Sequence, residues 1–116
     1  MSYSFKDKVA LVTGSSKGIG RAILYELAKT GCIVILHYHK NSSEAKKTFK
    51  EIKKDGYKID IYSGDLTKES KVKNLFRNIQ KKYKRLDILI NNVGNDLKKD
   101  LNKLKTNEWH EIINSN

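Results

Sequence analysis

The sequence predicts an α/β protein, a parallel sheet with helices on both faces. Two observations carry this. Short apolar runs alternate strictly with longer stretches of helical period along all 116 residues. A glycine-rich turn joins the first run to the first helical stretch. Strict alternation forces right-handed crossovers, and these place helices above and below a parallel sheet. No linker, repeat or low-complexity segment interrupts the pattern, so one domain over residues 1–116 is expected.

Each element has its own signal. Val9-Ala10-Leu11-Val12 is a compact β-type run. From Gly18 to Lys29, the residues Ile19, Ala22, Ile23, Leu27 and Ala28 recur at helical spacing and mark an inner face. Gly31 stands where a helix end wants a residue free to take positive φ. Ile33-Val34-Ile35-Leu36 is the second strand. Ala45, Phe49 and Ile52 mark a second helix, closed by Asp55-Gly56. Ile59 and Ile61 alternate with polar residues as a third strand. Thr67 is the expected cap of a third helix, with Val72, Leu75, Phe76, Ile79 and Tyr83 on its buried stripe. Leu86 to Ile90 reads as a fourth strand, and Thr106 caps a last helix carrying Trp109, Ile112 and Ile113.

Composition narrows the class. Hydrophobic residues make up 38% and charged residues 32%, as in soluble globular chains. No apolar run approaches the roughly 20 residues needed to span a membrane. A single cysteine, Cys32, excludes an internal disulfide and a multi-cysteine metal site, and the cytoplasm is the expected compartment. The net charge of +11 raises the question of nucleic acid. The lysines are spread over the polar sides of the helical stretches, with no interleaved aromatics to stack on bases, so solvated helix faces are the better reading.

The turn Thr13-Gly14-Ser15-Ser16-Lys17-Gly18-Ile19-Gly20 spaces its glycines as G-x-x-x-G-x-G. Gly14 permits a sharp turn after the strand. Gly18 leaves room for a pyrophosphate against the backbone, and Gly20 permits close packing of the helix. The helix start offers unpaired N–H groups and the positive end of a dipole to phosphates. An ordinary glycine turn is the plain alternative, and placement between strand and helix favours the nucleotide site. The turn is not a P-loop, because no Gly-Lys-Ser/Thr triplet stands at the required spacing.

The end of the second strand, Leu36-His37-Tyr38-His39-Lys40-Asn41, carries no acid to hold ribose hydroxyls. Lys40, with His39 and Lys17 near it, suits a 2′-phosphate instead, which favours NADP over NAD. His37 and His39 read as polar strand-end residues and not as metal ligands, so no metal site is expected.

Four stretches together resemble the classical short-chain dehydrogenases/reductases. They look most like the 3-oxoacyl-[acyl-carrier-protein] reductase and related NADP-dependent carbonyl reductases. The stretches are the glycine turn, Gly64-Asp65-Leu66-Thr67, Asn91-Asn92-Val93-Gly94, and Trp109 through Asn116. Val93 departs mildly from the family's Asn-Asn-Ala-Gly. The resemblance implies a Rossmann-type three-layer α/β/α fold, here with strand order 3-2-1-4. It implies that Gly14, Ser16, Lys17, Gly18, Ile19, Gly20, His39, Lys40, Asp65, Leu66, Asn92 and Gly94 bind the cofactor. Asp65 also has a plain reading as a helix-start acid, and Asn91 and Asn92 as ties between strands. Spacing from Trp109 makes Asn116 the counterpart of the family's catalytic asparagine.

In that family a serine and a Tyr-x-x-x-Lys pair follow the asparagine, and the tyrosine is the general acid/base. The sequence given stops at Asn116, so the expectation is a truncated, NADP-binding N-terminal half without significant reductase activity of its own. A small carbonyl or alcohol substrate is implied for the full-length family, with no nucleic-acid or membrane partner. Two alternatives stand beside it: a non-catalytic NADP-binding module, and a half-enzyme complemented by a second polypeptide. An edge position for the fourth strand would leave apolar Ile88, Leu89 and Ile90 open to self-association.

Overall fold

A computed structural model of the chain describes residues 4–93. Within them β1 (Val9–Val12), α1 (Gly18–Lys29), β2 (Ile33–Tyr38), α2 (Ser42–Lys54), β3 (Ile59–Ser63), α3 (Glu69–Tyr83) and β4 (Ile88–Ile90) follow in order. The expected last helix with Thr106, Trp109, Ile112 and Ile113 lies outside the described residues, as do Gly94 and Asn116.

The four strands form one parallel sheet in the order β3-β2-β1-β4. Val9 pairs with Ile33, Ala10 with Ile88, and Val34 with Ile59. The period-2 alternation of the strands divides the core into two layers. Val9, Leu11 and Ile35 point to the side covered by α3, where they meet Val72, Leu75, Phe76 and Ile79. Ala10, Val12, Val34 and Leu36 point to the other side and meet Leu24 and Ala28 of α1 and Ala45 and Ile52 of α2. β1 and the centre of β2 are buried on both sides, which is why they read as unbroken apolar runs. Each fully buried Leu, Ile or Val side chain contributes roughly 1.5–3 kcal/mol.

Three expectations about local structure need correction. The inner face of α1 is Gly20, Leu24 and Ala28, with Ile23 and Leu27 half-buried; Ile19 is 73% exposed and Ala22 is exposed. The helix is rotated because Gly20, not an apolar side chain, makes its closest approach. Thr67 does not cap α3: Lys68 occupies that position without a side-chain cap bond. The Thr67 hydroxyl donates to Asp65 Oδ1 at 2.6 Å instead. The strand β4 is shorter than expected, Ile88–Ile90: at Asp87 the N–H donates to the Val9 carbonyl, but the Val9 N–H is taken by the Asp87 side chain and not by a strand carbonyl. The helix ends follow the glycine signals: Gly31 has φ +90° and Gly56 has φ +88°.

Candidate functional site

In an open parallel sheet, ligands bind beyond the carboxyl ends of the strands. Here those ends carry the glycine turn after β1, Tyr38–Lys40 after β2, Gly64–Asp65 after β3, and Asn91–Asn92 after β4.

The glycine turn is built by close approach. Gly14 takes φ +58°, a conformation that favours glycine. A Cβ on Gly20 would fall 2.5 Å from the Gly14 carbonyl oxygen and 2.7 Å from Asn92 Nδ2, so only glycine fits there. Gly18 differs: at φ +63° its hypothetical Cβ would meet nothing within 4 Å, and the turn is open to a ligand at that point.

Hydrogen bonds from distant parts of the chain hold the turn. Ser15 Oγ donates to the Val12 carbonyl at 2.7 Å, and the His37 N–H donates to Ser15 Oγ at 3.1 Å. The buried Thr48 of α2 donates to the Ser16 carbonyl at 2.9 Å. From the loop after β4, Asn92 Nδ2 donates to the Gly14 carbonyl at 3.0 Å, and the Asn92 N–H donates to Thr13 Oγ1 at 2.9 Å. The reading of Asn92 as a tie between strands therefore describes a real contact.

The start of α1 differs electrostatically from its neighbours. Its cap position, Lys17, is extended and makes no side-chain cap bond, and its first turn holds no acid. The first turns of α2 and α3 contain Glu44 and Glu69. The positive end of the α1 dipole thus has no carboxylate of its own to offset it.

A cavity of about 250 Å³ opens here. Gly14, Ser16 and Lys17 of the turn line it with His37, Tyr38, His39, Lys40, Asn41 and Val93. Lys17, His39 and Lys40 are exposed, and among the described residues no carboxylate lines the cavity. The structure thus gathers Gly14, Ser16, Lys17, His39 and Lys40 around one space, with Gly18, Ile19 and Gly20 in the adjoining helix start. Asp65 lies on the loop after β3. Its Oδ1 accepts from the Thr67 hydroxyl and N–H, and these bonds hold its carboxyl below the usual carboxylate range. Leu66 is buried in the α3-side core, so its side chain faces inward.

Sequence reading gave His37 no role in the site. The ring is buried, with Nδ1 at 3.0 Å from the Gly14 amide and Nε2 at 2.9 Å from the Gly64 carbonyl. Sequence reading also passed over a Tyr-x-x-x-Lys spacing, Tyr25 to Lys29 on α1. The structure separates the two functionally. The Tyr25 hydroxyl donates to Glu51 at 3.1 Å, whereas Lys29 pairs with Glu26. Burial pushes the Tyr25 phenol up, opposite to what a proton-donating tyrosine needs. Among the described residues no group of three or more His, Cys, Asp or Glu is placed to hold a metal ion. No helix among them is long and apolar enough to cross a membrane.

Fold and site together define a Rossmann-type α/β unit whose polar contacts converge on the carboxyl edge of the sheet. Residues 8–116 match the family described as short chain dehydrogenase, and the chain belongs to that family. Among solved structures it is similar to a dehydrogenase/reductase from Sinorhizobium meliloti 1021, with 28% identity over 94% of this chain and a TM-score of 0.74. It is also similar to the promiscuous reductase LugOII, which catalyses keto-reduction at C1 during lugdunomycin biosynthesis, with 36% identity over 72% of the chain and a TM-score of 0.64. The sequence spans 43% and 37% of the length of those two chains.

Proposed function

We propose that this chain is the NADP(H)-binding N-terminal portion of a short-chain dehydrogenase/reductase acting on a small carbonyl or alcohol substrate. The 3-oxoacyl-[acyl-carrier-protein] reductase-like branch is the subtype we favour. The observation that carries the reading is the cavity beside the glycine turn, which is lined by Lys17, His39 and Lys40 and by no carboxylate.

The residues present fit a dinucleotide. Gly18 leaves open the space a side chain would fill. The α1 start offers N–H groups and a dipole end without a competing acid. Lys17 and Lys40 suit the two charges of a 2′-phosphate, where an acid would repel it. Asp65, oriented by Thr67, is the acceptor proposed for the adenine amino group. The bound nicotinamide would supply the hydride chemistry. This chain's residues hold and orient the cofactor, and no described residue is assigned the proton transfer. A polypeptide of residues 1–116 assayed alone is therefore expected to show no reductase turnover.

Chemical-shift mapping with NADPH tests the placement. The amides of Gly14, Gly18 and Lys40 are expected to move, and those of Gly31 and Gly56 to stay. Shifts confined to the Gly31 and Gly56 end would overturn the reading.

A further inference from the structure

We propose that His37 is a positioning residue for the dinucleotide. Its ring ties the first glycine of the phosphate turn to the backbone just ahead of Asp65, and so fixes the cavity-lining turn relative to the loop after β3. The inference rests on the dinucleotide-binding reading above.

The geometry assigns the ring a single form. A carbonyl oxygen only accepts, so Nε2, 2.9 Å from the Gly64 carbonyl, carries the proton. A backbone N–H only donates, so Nδ1, 3.0 Å from the Gly14 nitrogen, is bare. The ring is therefore neutral, as the Nε2–H tautomer. The backbone of the same residue completes the tie. The Ser15 N–H donates to the His37 carbonyl at 2.9 Å, and the His37 N–H donates to Ser15 Oγ at 3.1 Å. One residue thereby accepts from the N–H groups of both Gly14 and Ser15. Gly14 already sits in the left-handed region, and Gly64 directly precedes the acid proposed to face adenine.

The ring also forms a partition. It lines the cavity beside the glycine turn and a second one of about 190 Å³ under α3. Lys17, His39 and Lys40 share the lining of the first cavity with it, and Tyr62 and Lys71 that of the second. Asp65 is the carboxylate on the adjoining loop, and its Oδ1 is engaged by Thr67. Burial, with a smaller contribution from His39, keeps the imidazole below the ordinary histidine value. A proton on Nδ1 would set one N–H against another at Gly14. The tie is therefore complete above about pH 6.5 and weakens as pH falls below that value toward the ring's own lower pKa.

The experiment is fluorescence titration of NADPH onto the wild type, His37→Leu and His37→Asn, with circular dichroism of each and ¹⁵N NMR of the wild-type ring. At about pH 8, with histidine neutral, loss of the Gly14 tie is expected to weaken binding by about tenfold or more in His37→Leu. In His37→Asn the side-chain oxygen replaces Nδ1, and affinity should stay within about threefold of wild type. Below pH 6.5 the wild type should lose affinity faster than His37→Asn does. NMR should show the Nε2–H tautomer. An unaffected, folded His37→Leu overturns the proposal, as does a ring protonated on Nδ1. Should His37→Leu fail to fold, the tautomer and the pH profiles of wild type and His37→Asn decide alone. If the wild type binds neither NADPH nor NADH, the parent reading falls and this inference with it. If the wild type binds while His37→Leu is indifferent, this inference alone falls.

Discussion

The two ends of the sheet invite comparison. A cavity of about 370 Å³ lies at the amino ends of the strands, lined by residues such as Lys6, Asp7, Gly31, Cys32 and Tyr57. At the carboxyl end, spaces of about 250 and 190 Å³ are lined by described residues. At the amino end the polar groups are spent on holding the chain. Asp87 accepts from the Val9 N–H at 2.8 Å and from Arg85 Nε at 2.8 Å, and Lys58 pairs with Asp7. At the carboxyl end, side chains from β2, α2 and the loop after β4 converge on one glycine turn beside a cavity lined by Lys17, His39 and Lys40 and, among the described residues, by no carboxylate. Convergence of polar groups, not volume, marks the site.

If that contrast is sound, substitutions at the two ends should separate cofactor affinity from stability. The largest effect is expected at Gly20. A methyl group there would collide with the Gly14 backbone and Asn92. Gly20→Ala should cost about 3 kcal/mol, the upper end of overpacking penalties, and should abolish dinucleotide binding. Thermal melting and titration check both parts, and an unchanged Tm would break the account of the turn.

Next comes Lys40→Glu. Replacing a cation by an anion beside the proposed 2′-phosphate position should cost about 2 kcal/mol of NADPH affinity, roughly 30-fold, with little change in Tm. NADH affinity should change less. Equal losses for both cofactors would place Lys40 away from the distinguishing phosphate.

Gly31→Ala probes the opposite end. Its φ of +90° and the Lys6 Cα at 3.2 Å from the added methyl predict a loss of about 1.5 kcal/mol in stability. Cofactor affinity of the folded protein should not move.

The smallest effect is Asp87→Asn, about 1 kcal/mol. The Arg85 fork, joined by the Val9 N–H, holds the Asp87 carboxyl below its usual range. A depressed acid contributes stability that is complete above its unfolded value, about pH 4, and is lost as pH falls through the folded value. The variant should therefore show a shallower loss of stability on acidification, measured by denaturant unfolding between about pH 5 and pH 2.

These contrasts also show what the residue pattern reveals. The two-sided core follows from runs such as Val9–Val12 and from the α3 stripe, because apolar periodicity is local, whereas the strand order 3-2-1-4 came only with the family resemblance. The rotation of α1 was not legible: Gly20 carries no side chain, so hydropathy gives it no weight, although it makes the closest contact. Thr67 looked like a cap because capping residues are recognised by type, and only the fold shows its hydroxyl given to Asp65. Of the site, the glycine turn and the cations near Lys40 were legible, since spacing and charge are local too. The roles of His37, Thr48 and Asn92 were less so. They join Gly14 or Ser16 across 23, 32 and 78 residues, and only the sheet order brings them together. The Tyr25–Lys29 spacing shows the converse, a pattern present without its chemistry.

The proposed role of the cationic wall at the carboxyl end is to hold a 2′-phosphate. Calorimetric titration of the protein with NADPH and NADH under identical salt and pH tests it directly. The account predicts NADPH binding tighter by about tenfold or more, the worth of one charge-assisted contact. Equal affinity, or a preference for NADH, would contradict it.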